Sequence, residues 1–156
     1  MVRSLPGARV GQDRCVQRVL EGEYVLDDDP DRIDRTVVHR YLCDESYWAA
    51  GRDRAVMDEL IATATRVVGL YAPNGEQVGF ARVVSDGRTV SYLADVFVLE
   101  AARGRGFGLE LVRFAVDVEP VANTKFLLHT RDMHRLYAKL GFAPPDERTM
   151  ERWPEN

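Results

Sequence analysis

VFVLEAARGRGFGLELVRF, residues Val96 to Phe114, changes character twice. An apolar, β-branched run stops at Leu99. Gly104, Gly106 and Gly108 then fall at alternate positions, with Arg103 and Arg105 between them. An amphipathic run follows at once, with Phe107, Leu111, Phe114, Ala115 and Val118 on one face. The pattern predicts a strand, a glycine-rich turn and a helix. A helix N-terminus leaves backbone N–H groups unpaired and carries a partial positive charge, which suits anions and above all phosphate. Glycine lets the backbone approach such a ligand, and arginine adds charge and forked donors. The stretch therefore reads as a pyrophosphate cradle. It is not a P-loop, because no lysine follows the glycines. It is not a Rossmann fingerprint either, because the glycines alternate and the turn comes late in the chain.

The bulk properties narrow the setting. The chain has 156 residues, 46% apolar and 29% charged, which suits one globular domain able to bury a core. A net charge of −4 gives no general footprint for nucleic acid, so any basic site is local. Cys15 and Cys43 form no CxxC or Cys/His cluster, so neither a metal site nor a disulfide framework is expected. The N-terminus lacks the apolar core of a signal peptide, and no apolar run spans a bilayer. A soluble cytoplasmic protein without a membrane partner is the expectation.

Working outward, residues 1–20 show no clear periodicity and read as an N-terminal extension. Glu23 to Leu26 reads as a short strand that leaves through an acidic turn. Asp31 is placed to cap a helix with Ile33, Val37, Val38, Tyr41 and Leu42 on one face. A loop, ESYWAAGRDR, leads to a second helix burying Val56, Met57, Leu60, Ile61 and Ala64. Three strands follow as an antiparallel meander, RVVGLYA, QVGFARVVS and TVSYLADVFVL, turning at Asn74-Gly75 and Asp86-Gly87. After the glycine-arginine turn and its helix, closed by Pro120, come a buried strand KFLLHT and a helix RDMHRLYAKL with Gly141 as its cap. The tail FAPPDERTMERW supplies one or two last strands in this reading. The order is β-α-α-β-β-β-α-β-α-β(-β), a mixed sheet with helices on both faces.

Two motifs in that order carry a family likeness. Val98 with Arg103-Gly104-Arg105-Gly106-Phe107-Gly108 resembles the acyl-CoA-binding motif of the GNAT superfamily of N-acetyltransferases. TRDMHRLYAKLGF, Thr130 to Phe142, resembles that family's closing motif, and the likeness covers about residues 22–154. The chain departs from the pattern at Glu100, where proline is usual, at Ala102, where an aromatic is usual, and at Met133, where alanine is usual. The resemblance implies an α/β (α+β) GNAT fold: a mixed, mostly antiparallel sheet flanked by helices, its fourth and fifth strands splayed. It places an acyl-CoA N-acyltransferase domain at residues 21–156.

The resemblance also implies transfer of an acetyl group from acetyl-CoA to a primary amine, by direct attack in a ternary complex and without a metal. Backbone groups of Val96, Phe97 and Val98 would line the thioester and pantetheine, with Val98 N–H the oxyanion donor. Arg103, Gly104, Arg105, Gly106, Phe107 and Gly108 would hold the pyrophosphate. Thr130 would bond the pantetheine arm, and Tyr137 would protonate the departing thiolate. For the base, Asp95 is one candidate, set against a structural pairing with an arginine or backbone amide; His134, one turn before Tyr137, is another. His129 reads as a strand position, and Arg135 and Lys139 as solvated helix charges. Tyr47 and Trp48 could wall a cationic amine and Arg52 hold a substrate carboxylate, against a packed turn as the alternative. Arg82, inside a strand, needs a partner. The acceptor would be a small amine or a protein amine, and a homodimer follows by analogy. A larger acyl-CoA, a non-catalytic CoA-binding module and another nucleotide are the competing readings.

Overall fold

The computed structural model describes residues 15–154. Its elements are β1 (Gln17–Val19), β2 (Val25–Asp27), α1 (Arg35–Asp44), α2 (Arg54–Thr63), β3 (Arg66–Tyr71), β4 (Gln77–Ser85), β5 (Val90–Val98), α3 (Phe107–Val116), β6 (Lys125–Leu127) and α4 (His134–Ala138). The six strands form one sheet in sequence order. Every neighbouring pair is antiparallel except β5–β6, which is parallel.

The meander forms where both predicted turns stand. Gly75 has a φ of 86°, and Asp86 Oδ1 accepts from the N–H groups of Arg88, Thr89 and Val90. One face of the sheet, through Val68, Leu70, Ala81, Val83 and Leu93, packs on Phe107, Leu111, Phe114 and Ala115 of α3. Full burial of a side chain such as Leu111 or Phe114 stabilises by roughly 1.5–3 kcal/mol. The other face, through Val67, Phe80 and Phe97, packs on Val38 and Leu42 of α1 and Met57 and Ile61 of α2.

The structure corrects several expectations. Residues 17–19, read as extension, form a strand at the sheet edge; residues 1–14 of that extension lie outside the described residues. The second strand starts two residues later than expected and runs into the acidic turn, where Asp27 and Asp28 are buried and paired. The cap of α1 is Asp34, whose Oδ1 accepts from Thr36 N and Val37 N; Asp31 belongs to a separate 3-10 turn, Pro30–Arg32. Val56 is exposed on α2. Helix α3 ends at Val116, four residues before Pro120. The segment after Gly141 forms no strand among the described residues. Pro144 and Pro145 supply no N–H to a ladder, and each restricts the residue before it.

Tyr71 lies over Gly69, where an added Cβ would stand 2.4 Å from the phenol oxygen. Arg32 stacks on the Tyr71 ring at 4.1 Å from its centroid. The hydroxyl is buried with no partner among the described residues. Tyr71→Phe keeps the ring and its cation and removes the unpaired group. Urea denaturation should show it more stable by about 1 kcal/mol.

Candidate functional site

The turn between β5 and α3 exposes a row of donors. Gly104 and Gly106 hold φ of 76° and 78°, a region that favours glycine, and Gly106 is the N-cap of α3. Among the described residues, no group accepts from the backbone N–H of residues 104 to 109; the first bonded amide of the helix is Glu110 N, to Gly106 O. Arg103 Nε donates to Val98 O at 2.8 Å and its Nη2 to Tyr41 Oη at 3.3 Å, which ties the turn to β5 and α1. The Arg105 guanidinium lies 5.5 Å from the Tyr24 ring centroid. Neither arginine pairs with a carboxylate among the described residues. Consecutive free amides and two uncompensated cations suit a phosphate-bearing group. Gly108 has a second role: an added Cβ would meet Leu136 Cδ1 at 3.3 Å, so its absence lets α4 approach α3.

Beside the turn the sheet opens. The fourth and fifth strands of the sequence reading are β5 and β6 here, since β1 adds one at the start. They pair only at Val90↔Lys125, Ser91↔Phe126 and Tyr92↔Leu127, and the rest of β5 has no partner on that side among the described residues. Leu99 N donates to Val78 O on β4 at 2.8 Å. Antiparallel backbone groups alternate in direction, so the neighbouring Val98 N–H and C=O point away from β4, into the opening. Arg103 takes the Val98 carbonyl there, and no group accepts from the N–H among the described residues. The Val96 side chain packs on the α3 core and Phe97 is buried in the other, stacked on Tyr41 at 4.1 Å, so these two residues offer the opening only backbone.

A bulge redirects β5 at this point. The register shifts between Arg82↔Ala94 and Phe80↔Phe97, and Asp95 has a φ of 53°. Leu93 and Phe97, four residues apart, would share a face of a regular strand; the extra residue sends them into opposite cores. It also turns Asp95 toward the α1–α2 side. Its carboxylate accepts from Arg82 Nε at 2.9 Å, from Arg52 Nη1 at 3.2 Å on each oxygen, and from Trp48 Nε1 at 3.1 Å. Of the two expectations for Asp95, the arginine pairing is the one present, and Arg82 finds its partner here. The loop residues Trp48 and Arg52 are drawn to Asp95, and Tyr47 reaches across the opening: its Oη accepts from Arg131 N at 3.0 Å, with the Arg131 guanidinium over its ring at 4.0 Å.

Tyr137 on α4 is half-buried, packed edge-on to Phe142, and its hydroxyl bonds no group among the described residues. Burial, reinforced by Tyr47 and Asp132, pushes its pKa up to about 12, so the phenol keeps its proton at neutral pH. Thr130 Oγ1 accepts from Met133 N at 3.0 Å as the chain enters α4, leaving its hydroxyl proton free. His134, Arg135 and Lys139 are exposed on that helix, and Met133 beside them is 47% exposed. His129 is not a strand residue: β6 ends at Leu127, and His129 Nδ1 meets Tyr92 Oη at 2.6 Å. This contact and that of Tyr41 with Arg103 leave no signal in the sequence, because each joins residues distant in the chain. Among the described residues no His, Cys, Asp and Glu side chains group as a metal site, and no helix is long and apolar enough to cross a membrane.

Comparison with known proteins agrees with this geometry. The Acetyltransferase (GNAT) domain family matches residues 64–144. A crystal structure from Xanthomonas campestris pv. campestris, assigned to the GNAT acetyltransferases, is 37% identical over 84% of this chain and 93% of its own, with a TM-score of 0.77. A Gibberella zeae protein assigned as an acetyltransferase is 29% identical over 147 residues, 80% of this chain and 82% of the relative. An acetyltransferase-assigned structure from Deinococcus radiodurans R1 shares the fold at 20% identity and a TM-score of 0.67, over 87% of this chain and 92% of its own. With the glycine-arginine turn at the head of α3 and the splayed β5–β6 pair beside it, the chain belongs to the GNAT acetyltransferase family.

Proposed function

We propose that the protein transfers an acetyl group from acetyl-CoA to a primary amine within a ternary complex. The observation that carries this reading is the unbroken row of free N–H groups from Gly104 to Leu109, which continues into an opening faced by Val98 N–H. The row and Arg103 and Arg105 would take the pyrophosphate. Thr130 and the backbone of Val96, Phe97 and Val98 would run beside the pantetheine. Acetyl-CoA, when bound, supplies a thioester open to attack by nitrogen. Val98 N–H is aimed where negative charge gathers on the carbonyl oxygen, and one such donor is worth about 3–4 kcal/mol. Tyr137, held protonated, gives its proton to the thiolate. Asp95 anchors Arg82, Arg52 and Trp48, and with Tyr47 these shape the side from which an amine enters.

A thermal melt with acetyl-CoA, longer acyl-CoAs, ATP and NAD in parallel tests the reading. A ligand at 100 times its Kd adds about 2.7 kcal/mol, here a rise of roughly 5–10 °C. Thiol release from acetyl-CoA against amino acids, polyamines, amino sugars and lysine peptides then identifies the acceptor. No rise with any CoA, or no release with any amine, overturns the proposal.

A further inference from the structure

We propose that Arg52 and Arg82 bind a carboxylate carried by the acceptor, so that the amine acetylated belongs to an amino acid; the inference rests on the acetyl-transfer reading above. Asp95 brings the two guanidinium groups together without satisfying them. Arg82 uses only its Nε on that carboxylate, at 2.9 Å. Arg52 uses only Nη1, on both Asp95 oxygens at 3.2 Å and on Met57 Sδ at 3.1 Å. A guanidinium carries N–H donors on all three of its nitrogens. Nε and Nη2 of Arg52, and Nη1 and Nη2 of Arg82, therefore have no partner among the described residues, and all four remain open to solvent.

The electrostatics point the same way. The side chains of Asp95 and Arg82 are 2% and 10% exposed, and that of Arg52 is 24% exposed. Two cations face one anion there, and neither arginine forms another ion pair among the described residues. An uncompensated charge in so buried a place is unfavourable, and an anion that reaches it offsets the penalty. The free edge of Arg52, Nε beside Nη2, is the fork that takes both oxygens of a carboxylate at once. The missing charge is a single one, which a carboxylate supplies and a phosphate ester, at about −1.5 to −2, exceeds.

The pair lies beside the same opening as the thioester site. Asp95 stands on the part of β5 that has no partner toward β6 among the described residues, shortly before Val98. The loop between α1 and α2 that carries Arg52 also carries Trp48, bonded to Asp95, and Tyr47, whose ring meets that of Trp48 edge-on at 5.0 Å. Tyr47 crosses to Arg131 N on the far side and is near enough to Tyr137 to raise its pKa. One loop thus touches both the arginine pair and the Tyr137 end of the opening. From Asp95 to Val98 the strand spans at most about 10 Å. That interval sets the scale of the acceptor as a free amino acid.

Paired substrates test the site. Glycine, β-alanine, 4-aminobutyrate, 6-aminohexanoate and L-lysine are each compared, with acetyl-CoA, against the amine that lacks the carboxylate, and O-phosphoethanolamine serves as the phosphate arm. The best amino acid should exceed its partner amine about 10²-fold in kcat/KM. Arg52→Lys keeps a cation and loses the fork. It should raise KM for that amino acid about 10- to 100-fold with kcat nearly unchanged, and leave the partner amine and the acetyl-CoA melting shift as in the wild type. A merely structural role would weaken both members of a pair alike. Calorimetric titration of the same pair into the wild-type chain holding CoA reads the site without turnover and without a variant; the amino acid should bind about 10²-fold more tightly. Equal rates or equal affinities within every pair, preference for O-phosphoethanolamine, transfer to amines but to no amino acid, or an Arg52→Lys loss shared by both members overturns the carboxylate site alone. Failure to bind acetyl-CoA, or to acetylate any amine, overturns the transfer reading beneath it.

Discussion

Tyr137→Phe is expected to cut turnover by about 10²–10⁴-fold while acetyl-CoA raises the melting temperature as much as it does for the wild type. The substitution removes one hydroxyl, which makes no bond among the described residues, and keeps the ring that packs on Phe142. Burial and binding should therefore survive, and only the proton for the departing thiolate is lost. A fall in kcat and kcat/KM together, with acetyl-CoA affinity unchanged, marks an interaction made in the transition state. Unchanged turnover would remove Tyr137 from the mechanism. Its pH behaviour gives a second check. Its folded pKa, about 12, exceeds the ordinary 10.0, so the folded state holds that proton more tightly. The associated stability is complete below pH 10 and is lost as pH rises from 10 toward 12. Phenolate absorbance of wild type minus Tyr137→Phe should place the titration at the upper end of that window.

Asp28→Ala should destabilise the fold by about 3–5 kcal/mol, the cost of leaving a buried charge without its partner. Asp28 Oδ2 lies 2.7 Å from Arg66 Nη1, and both side chains are at most 2% exposed. Arg66 Nη2 also donates to Phe114 O at 3.2 Å, and the guanidinium lies over the Phe114 ring, so the pair fastens β3 to the end of α3. Burial lowers the Arg66 pKa and Asp28 opposes that fall; without Asp28 only the penalty remains. Asp28 Oδ1 also accepts from Val16 N, so β1 loses an anchor. The double variant Asp28→Ala/Arg66→Met removes both charges and should recover much of the loss. A single variant as stable as wild type in urea would show that Arg66 needs no counter-charge.

These two residues differ in how far the sequence announced them. Tyr137 is singled out in the sequence because the stretch Thr130 to Phe142 resembles a known motif, and that stretch is local. The acidic run Asp27-Asp28-Asp29 was read simply as an acidic turn, since nothing in the local sequence shows that Arg66, 38 residues on, pairs with Asp28. The tail was read as one or two last strands, yet Met150 and Trp153 are exposed and no ladder forms there among the described residues.

By itself the sequence determined the meander, the two turns at Asn74-Gly75 and Asp86-Gly87, the glycine-arginine turn opening α3, and the family. The meander and the turns rest on periodicity, turn chemistry or spacing within a short window, and the family rests on the resemblance of two short motifs to those of known proteins. Only the tertiary structure decided that β5 bulges at Asp95, that its parallel partner leaves after Tyr92, that Trp48, Arg52 and Arg82 meet on one carboxylate, and that His129 joins Tyr92 and Glu151. Those contacts span separations of 13 to 47 residues. They depend on how strands register and diverge, which no local pattern encodes.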